Sequence, residues 1–463
     1  MKDSRVPALA IASVSVCAAL YAQAGEPQPK LRLAEVQNVS PSRYRVDLTL
    51  DPAKTQFSGA IEIALEIREA LQTLWLNAAD IAVTEAALTA KGQAWPAKAQ
   101  PGTSGFLALH FDRTIPPGPA ELRIRYTGNV RQRDSSAVFR VDDLGNHYIL
   151  TQFEATYARN AFPCFDEPSY KVPWQLTLHV PAQDKAVSNT PVAGEIAEGG
   201  TRTYTFKETK PLPSYLVAFV VGPWEFVDAG TAGRKHVPVR IVVPKGRMEE
   251  AKYAAEVTPT ILTRLENYFG SPYPYEKSDQ VSVPTQFGAM ENAGMVTYDQ
   301  SLLLARPASD SIQRQRRYAG TAAHELAHQW VGDLVTTAWW NDIWLNEAFA
   351  DWMEDKLIAE WKPEWKSRLN DVQSLLRAER VDSLLSARKI RQEITSNGDI
   401  DNAFDGITYS KGAAVISMFE HWIGPAEFRK GVRIYLQRYA FRNATAGDFL
   451  NTLRRHGIIK WTI

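Results

Sequence analysis

His324-Glu325-Leu326-Ala327-His328 sets two imidazoles four residues apart around a carboxylate, in a chain with 8 histidines among 463 residues. On a helix, positions i and i+4 share a face, so both rings can grip one ion. Zinc takes neutral imidazole nitrogens and often a carboxylate oxygen, and a hydrolytic site keeps one position for water. Glu325 is angled off the face of the histidines, where it can accept a proton from that water instead of binding the metal. The competing reading is an ordinary polar helix on which two histidines fall four apart by chance. A third donor separates the two readings. Trp344-Leu345-Asn346-Glu347-Ala348-Phe349-Ala350 opens a second amphipathic segment, with eighteen residues between His328 and Glu347. A hairpin of two helices would bring Glu347 against the histidines and complete a site for one zinc per chain. Glu354, seven residues after Glu347 on the same helix face, is either an orienting partner for a ligating histidine or an exposed acid.

The elements that must hold these residues fall into two textures. From about 30 to 230 the apolar period is two. Tyr44, Val46, Leu48 and Leu50 alternate with polar residues, as do Ile61 to Ile67, Leu122 to Tyr126 and Trp174 to Val180. Turn-rich pieces such as Pro116-Pro117-Gly118-Pro119 and Glu198-Gly199-Gly200 separate them, which reads as antiparallel sheets. After a last expected strand, Val237 to Val243, helical periods take over at 248–268, 311–331, 345–361, 363–380 and 409–423. The expected domains are therefore 25–232, rich in β-strands, and 233–463, a helix-rich α+β unit carrying the metal site.

Lys2 and Arg5 precede an apolar run from Val6 to Leu20, followed by Ala22-Gln23-Ala24. That is the pattern of a cleaved signal peptide over 1–24, and implies export to the periplasm or outside the cell. The alternative is a lipoprotein anchor on Cys17, but Val16 stands where lipoprotein processing wants a small residue. No later segment is apolar enough to span a membrane. Cleavage would leave Cys164 as the one cysteine, so any metal must be held by histidines and carboxylates. Formal net charge is zero with no basic cluster, which argues against a nucleic-acid or membrane-surface partner.

Several separated motifs together resemble one family. Thr151-Gln152-Phe153-Glu154-Ala155 leads into Ala158-Arg159 and Pro163-Cys164-Phe165-Asp166-Glu167-Pro168. Gly288-Ala289-Met290-Glu291-Asn292, the His324 to His328 pair, Glu347 and Tyr409-Ser410-Lys411-Gly412 follow in order. From about residue 40 onward the chain is similar to the gluzincin aminopeptidases of the membrane alanyl aminopeptidase (aminopeptidase N) family, which includes the leukotriene-hydrolase enzymes. That resemblance implies a saddle-like β domain followed by a thermolysin-like catalytic domain.

It also implies residue roles. Glu291 and Glu154 match positions that hold the free α-amine of a peptide, through charge-assisted hydrogen bonds. Tyr409 matches the tyrosine that donates to the developing oxyanion. Gly288, Ala289, Met290 and Asn292 match the backbone that pairs with substrate as an added strand, with Gly288 allowing close approach. Phe287 matches a pocket position for the first side chain, and many relatives carry a smaller residue there. Read alone, a tyrosine opening an amphipathic helix is more often core or surface. Two rivals accompany this reading. A thermolysin-type endopeptidase would share the metal set but need neither Glu291 nor Glu154. A zinc-holding peptide-binding protein without turnover is the other, since relatives continue into a helical C-terminal domain and this sequence stops at Lys460-Trp461-Thr462-Ile463.

Overall fold

A computed structural model describes residues 27–285 and 288–455. The expected signal peptide with Cys17, the pocket residue Phe287, and the terminal stretch 456–463 lie outside those residues.

The alternating stretches form strands with one face buried. Val39–Thr49 pairs antiparallel with Gln56–Ile67, setting Tyr44 opposite Ile63 and Val46 opposite Ile61, and parallel with Trp174–Pro181 on its other side. These strands lie within a ten-stranded sheet drawn from residues 39–129 and 174–206. The Tyr44 and Trp174 rings stack across it at 3.8 Å. A four-stranded sheet, with Asn146–Gln152 and Phe219–Gly222 at its centre, stands beside it. Asn146–Gln152 runs directly into Glu154, so the position of that acid is set by a buried strand.

The second half is built on a five-stranded sheet: β1 (Trp224–Ala232), β2 (Val237–Pro244), β3 (Ser278–Val283), β4 (Ala289–Met290) and β5 (Met295–Asp299), in the order β1-β2-β3-β5-β4. β1 ends at Ala232, where the sequence puts the domain junction, and pairs with β2 across it. β2, β3 and β5 run parallel, and the short β4 pairs antiparallel with β5 at the sheet edge. The strand Val237 to Val243 is thus not the last one. β3 and β5 are buried along their whole length, so they show no alternation to read.

The helices of this half include α1 (Lys252–Phe269), α2 (Ile312–His328), α3 (Ile343–Trp361), α4 (Arg368–Asp382), α5 (Gly412–Ile423), α6 (Pro425–Tyr439) and α7 (Ala446–Arg455), of which α1 packs on β1 and β2 and α2 on β4. Four of the five helical periods match α1, α2, α3 and α5 within a few residues. The fifth splits into a short turn at Pro363–Trp365 and α4, where Lys366, left-handed at φ +52°, breaks the run. α3 is apolar over most of its surface, apart from the face that carries Glu347, Asp351 and Glu354. Trp344, Leu345, Ala348, Phe349, Trp352, Met353 and Leu357 are all buried, which makes it the central helix of this half. The two halves share a core in which Tyr148, Leu150 and Val220 of the four-stranded sheet meet Trp224, Val242, Val281 and Met295. The architecture is a β-sheet-rich N-terminal half followed by a helical half that carries the metal-ligating motif. Among the described residues no helix is long and apolar enough to cross a membrane.

Candidate metal and peptide site

α2 ends at His328, and both of its histidines face the first turns of α3. The His324 and His328 Nε2 atoms lie 3.0 Å apart, and each lies 3.6 and 3.5 Å, respectively, from Glu347 Oε2. A point shared by the three atoms sits about 2 Å from each, the bond length zinc takes to imidazole nitrogen and carboxylate oxygen. The remote ring nitrogens are tied down as well. His324 Nδ1 lies 2.9 Å from Asp351 Oδ1 and 3.8 Å from Glu354 Oε2. His328 Nδ1 donates to the Val331 carbonyl at 3.2 Å. A carbonyl can only accept, so the neutral His328 ring carries its proton on Nδ1 and offers the Nε2 lone pair to a metal.

Around this triad sits an excess of acid. Carboxylate oxygens of Glu154, Glu291 and Glu347 lie within 4.8 Å of one another. Glu325, Glu291 and Glu347 are buried, and an oxygen of Glu154 and one of Glu291 lack any protein partner. Four carboxyl groups thus confront two imidazoles, and the balance of charge shows in their proton affinities. Burial, and then Glu291, push Glu154 well above the usual carboxylate range. Burial likewise raises Glu325, and Glu291 adds to it, to about 8 against the opposing pull of His324. Glu291 also rises through burial, though His328 opposes it. Burial favours a neutral Glu347 too, yet His328 and His324 outweigh it and hold its carboxyl down to about 2. Burial works to lower His328, but Glu291 and Glu347 prevail and lift it to about 9. Such a set suits a dication held by the triad and a second cation, such as an ammonium, beside it.

Tyr409 lies within a π-helical turn, Ile407–Lys411, that runs into α5. Its ring faces that of His324 with centroids 6.3 Å apart. Burial and then Glu347 raise its phenol well above the ordinary value, so it stays protonated and able to donate. Gly412 explains how this turn comes so near α3. A Cβ there would meet the Ala348 Cβ at 2.5 Å, and Ala348 follows Glu347 of the triad.

The Gly288 to Asn292 stretch forms the sheet edge facing the acids. Gly288 has φ +91°, a left-handed conformation that favours glycine, and its carbonyl accepts from Asp299 at 2.6 Å. Ala289 and Met290 pair with Tyr298 and Thr297 on one side only, and β4 ends the sheet among the described residues. Met290 Sδ lies 3.5 Å from Gln152 Nε2, and Asn292 is buried beneath Glu291.

Two residues outside the sequence expectations join the site. Asp351 stands nearer His324 than Glu354 does. It lies four residues past Glu347, so the helical periodicity that pairs His324 with His328 also reaches it. Gln329 is fully buried; its amide donates to the Glu291 carbonyl at 2.8 Å and accepts from Gly294 N–H and the Tyr273 hydroxyl, each at 3.0 Å. It joins the metal helix to the acid-bearing edge strand. Its only signal in sequence is its place beside His328.

Known proteins share this arrangement of motifs. Residues 253–461 match the peptidase family M1 domain and residues 40–216 the peptidase M1 N-terminal domain. Aminopeptidase M1-D of Oryza sativa subsp. japonica is 36% identical over 414 residues, covering 88% of this chain and 47% of that protein. Probable aminopeptidase 2 of Sulfurisphaera tokodaii is 37% identical over 340 residues, covering 72% and 42%. Glutamyl aminopeptidase of Homo sapiens is 39% identical over 308 residues, covering 65% and 32%. The chain spans about half the length of the plant relatives it matches.

Proposed function

Since the chain belongs to peptidase family M1, we propose that it is a zinc-dependent aminopeptidase that hydrolyses the first peptide bond of peptides with a free N-terminus. The observation that carries this reading is the group of Glu154, Glu291 and Glu347 carboxylates beside the His324–His328 pair. A metal-dependent hydrolase needs the triad alone. The extra buried acids have a use only if the substrate brings a cation, and a peptide brings one at its α-amine.

In this reading His324, His328 and Glu347 hold zinc, which when bound acidifies water and polarises a carbonyl. Glu325, whose proton affinity is high, takes the proton of the attacking water and returns it to the departing amine. The Tyr409 hydroxyl donates to the oxygen that gains charge as the carbonyl becomes tetrahedral. Glu154 and Glu291 accept hydrogen bonds from the α-ammonium and fix the first peptide bond over the triad. The Gly288 to Met290 edge, with Asn292 beside it, offers backbone groups to extend the sheet by the substrate strand. Asp351 orients His324, with Glu354 behind it. Export by the signal sequence is part of the same proposal, and would set the enzyme against periplasmic or extracellular peptides.

The test is hydrolysis of aminoacyl-arylamides by zinc-loaded protein. Glu325→Gln should lose a factor of about 10² to 10⁴ in kcat, and Tyr409→Phe about 10² to 10³. If both keep the wild-type rate, the reading fails. Glu291→Ala should lose far more on free-amine substrates than on N-acetylated ones, whereas an endopeptidase would cut both alike.

A further inference from the structure

Three residues beyond Pro168, the Pro163 to Pro168 motif is followed by Lys171, which the proposed chemistry leaves unused. Asp166 and Glu167 of that motif serve the N-terminal half from within. Asp166 accepts from Arg159 Nε at 2.8 Å and the Ser214 hydroxyl at 2.6 Å, and Glu167 accepts from Leu33 N–H at 2.6 Å. They brace the segment from which Lys171 reaches into the helical half.

The Lys171 ammonium donates to the Asp333 carbonyl at 2.6 Å, the Leu334 carbonyl at 2.9 Å and the Thr336 hydroxyl at 2.9 Å, with the Arg442 carbonyl at 3.4 Å. An ammonium has three N–H donors, and three short bonds occupy them. Asp333 and Leu334 lie in the tight turn that leaves α2 directly after His328. That turn folds on itself: Asp333 N–H donates to the His328 carbonyl at 2.9 Å, and Gly332 N–H to the Val335 carbonyl at 2.9 Å. Its first carbonyl, that of Val331, receives the His328 Nδ1 proton. The stretch clamped from outside is therefore the one that sets the rotation of a metal-facing ring. A second link ties the same interface without touching this turn. Asn443 Nδ2 donates to the Pro168 carbonyl at 2.8 Å and the Thr337 carbonyl at 3.2 Å.

We propose that Lys171 is a positioning residue: reaching across from the N-terminal half, it fixes the turn from Val331 to Val335 and with it the His328 ring at the metal site. The inference rests on the metal reading above and assigns the sheet-rich half a part in holding the metal as well as the peptide. Charge-assisted bonds to several carbonyls are strong and directional, and partners that orient a ligand are worth about tenfold to a hundredfold in metal affinity.

The experiment compares full-length wild type, Lys171→Met, Lys171→Arg and Asn443→Ala, each checked for folding by circular dichroism. Zinc affinity is measured by competition with a chromophoric chelator, and Co²⁺-loaded protein reports ligand geometry through its visible bands. Lys171→Met keeps the apolar stem and should lose zinc affinity about tenfold with altered Co²⁺ bands. Lys171→Arg should fall between it and wild type, and takes its place if the Met variant does not fold. Asn443→Ala should keep the wild-type bands. Wild-type affinity and bands in the Lys171 variants would overturn the proposal. Equal changes in Asn443→Ala would overturn it too, because general loosening of the interface would then suffice. His328→Ala separately tests the metal reading, since tight zinc binding without that ring would defeat the reading itself.

Discussion

At the scale of single residues, the site turns on which acid holds His324. Asp351 stands 2.9 Å from Nδ1 and Glu354 3.8 Å. Asp351→Ala should therefore lower zinc affinity by about tenfold or more, and Glu354→Ala by distinctly less, in a chelator competition. The two histidines were legible in the chain because i, i+4 spacing is local geometry, and Glu347 because it opens the helical segment that a hairpin would fold back onto them. Asp351 obeys the same rule relative to Glu347, whereas the sequence reading stopped at the next acid along, Glu354. Glu154 was legible only through family resemblance, since no local rule joins residue 154 to residue 291. A second prediction concerns Asp184, a buried acid far from the metal. Burial, and then Asp51, push its carboxyl up to about 6. A folded pKa above the ordinary value makes the ionised form the costly one. That cost is absent below about pH 4 and fully present above about pH 6. Asp184→Asn should then be more stable than wild type at pH 8 by about 1 kcal/mol, less than the whole shift implies because the carboxyl keeps some solvent screening. At pH 4 the advantage should vanish. Thermal melts of both proteins at each pH check this.

At the scale of elements, the contact of α5 with α3 decides where Tyr409 stands. Gly412→Val would gain about 1 kcal/mol of helix propensity at most. It would set a Cβ 2.5 Å from that of Ala348, and overpacking of that kind costs about 1 to 3 kcal/mol. The clash wins because neither Cβ can swing aside. The variant should melt lower and lose kcat more than it raises KM, since Tyr409 moves while the acids stay; steady-state kinetics check this. Among the strands, those with a polar face were the ones visible in sequence. Strands such as Gly118–Asn129 and Trp174–Pro181 alternate because water lies on one side. β3, with Ser278, Asp279, Gln280 and Ser282 all buried, carries polar residues inside and alternates nowhere. α6 escaped the reading although Phe428, Val432, Tyr435 and Leu436 hold a helical period and are buried.

At the scale of the whole molecule, the proposed zinc site ties metal to fold. Removing zinc leaves Glu154, Glu291, Glu325 and Glu347 to face one another without the dication, so chelation should lower the melting temperature by several degrees and abolish activity, and zinc should restore both. The triad and the amine cluster differ in one respect that bears on this. His324, His328 and Glu347 come from a single α2–α3 hairpin. Glu154 instead lies in the turn that follows the strand Asn146–Gln152 of the other half, and reaches the site only when the two halves are docked. Short-range structure closes at little entropic cost, and long-range structure at more. Mild urea should therefore erode discrimination between free and N-acetylated peptides before it releases the metal, with zinc held more weakly but still held. For the proposed aminopeptidase, fidelity for chain ends would then be the first faculty lost under stress, and tight docking would be what guards against cleavage without regard to ends.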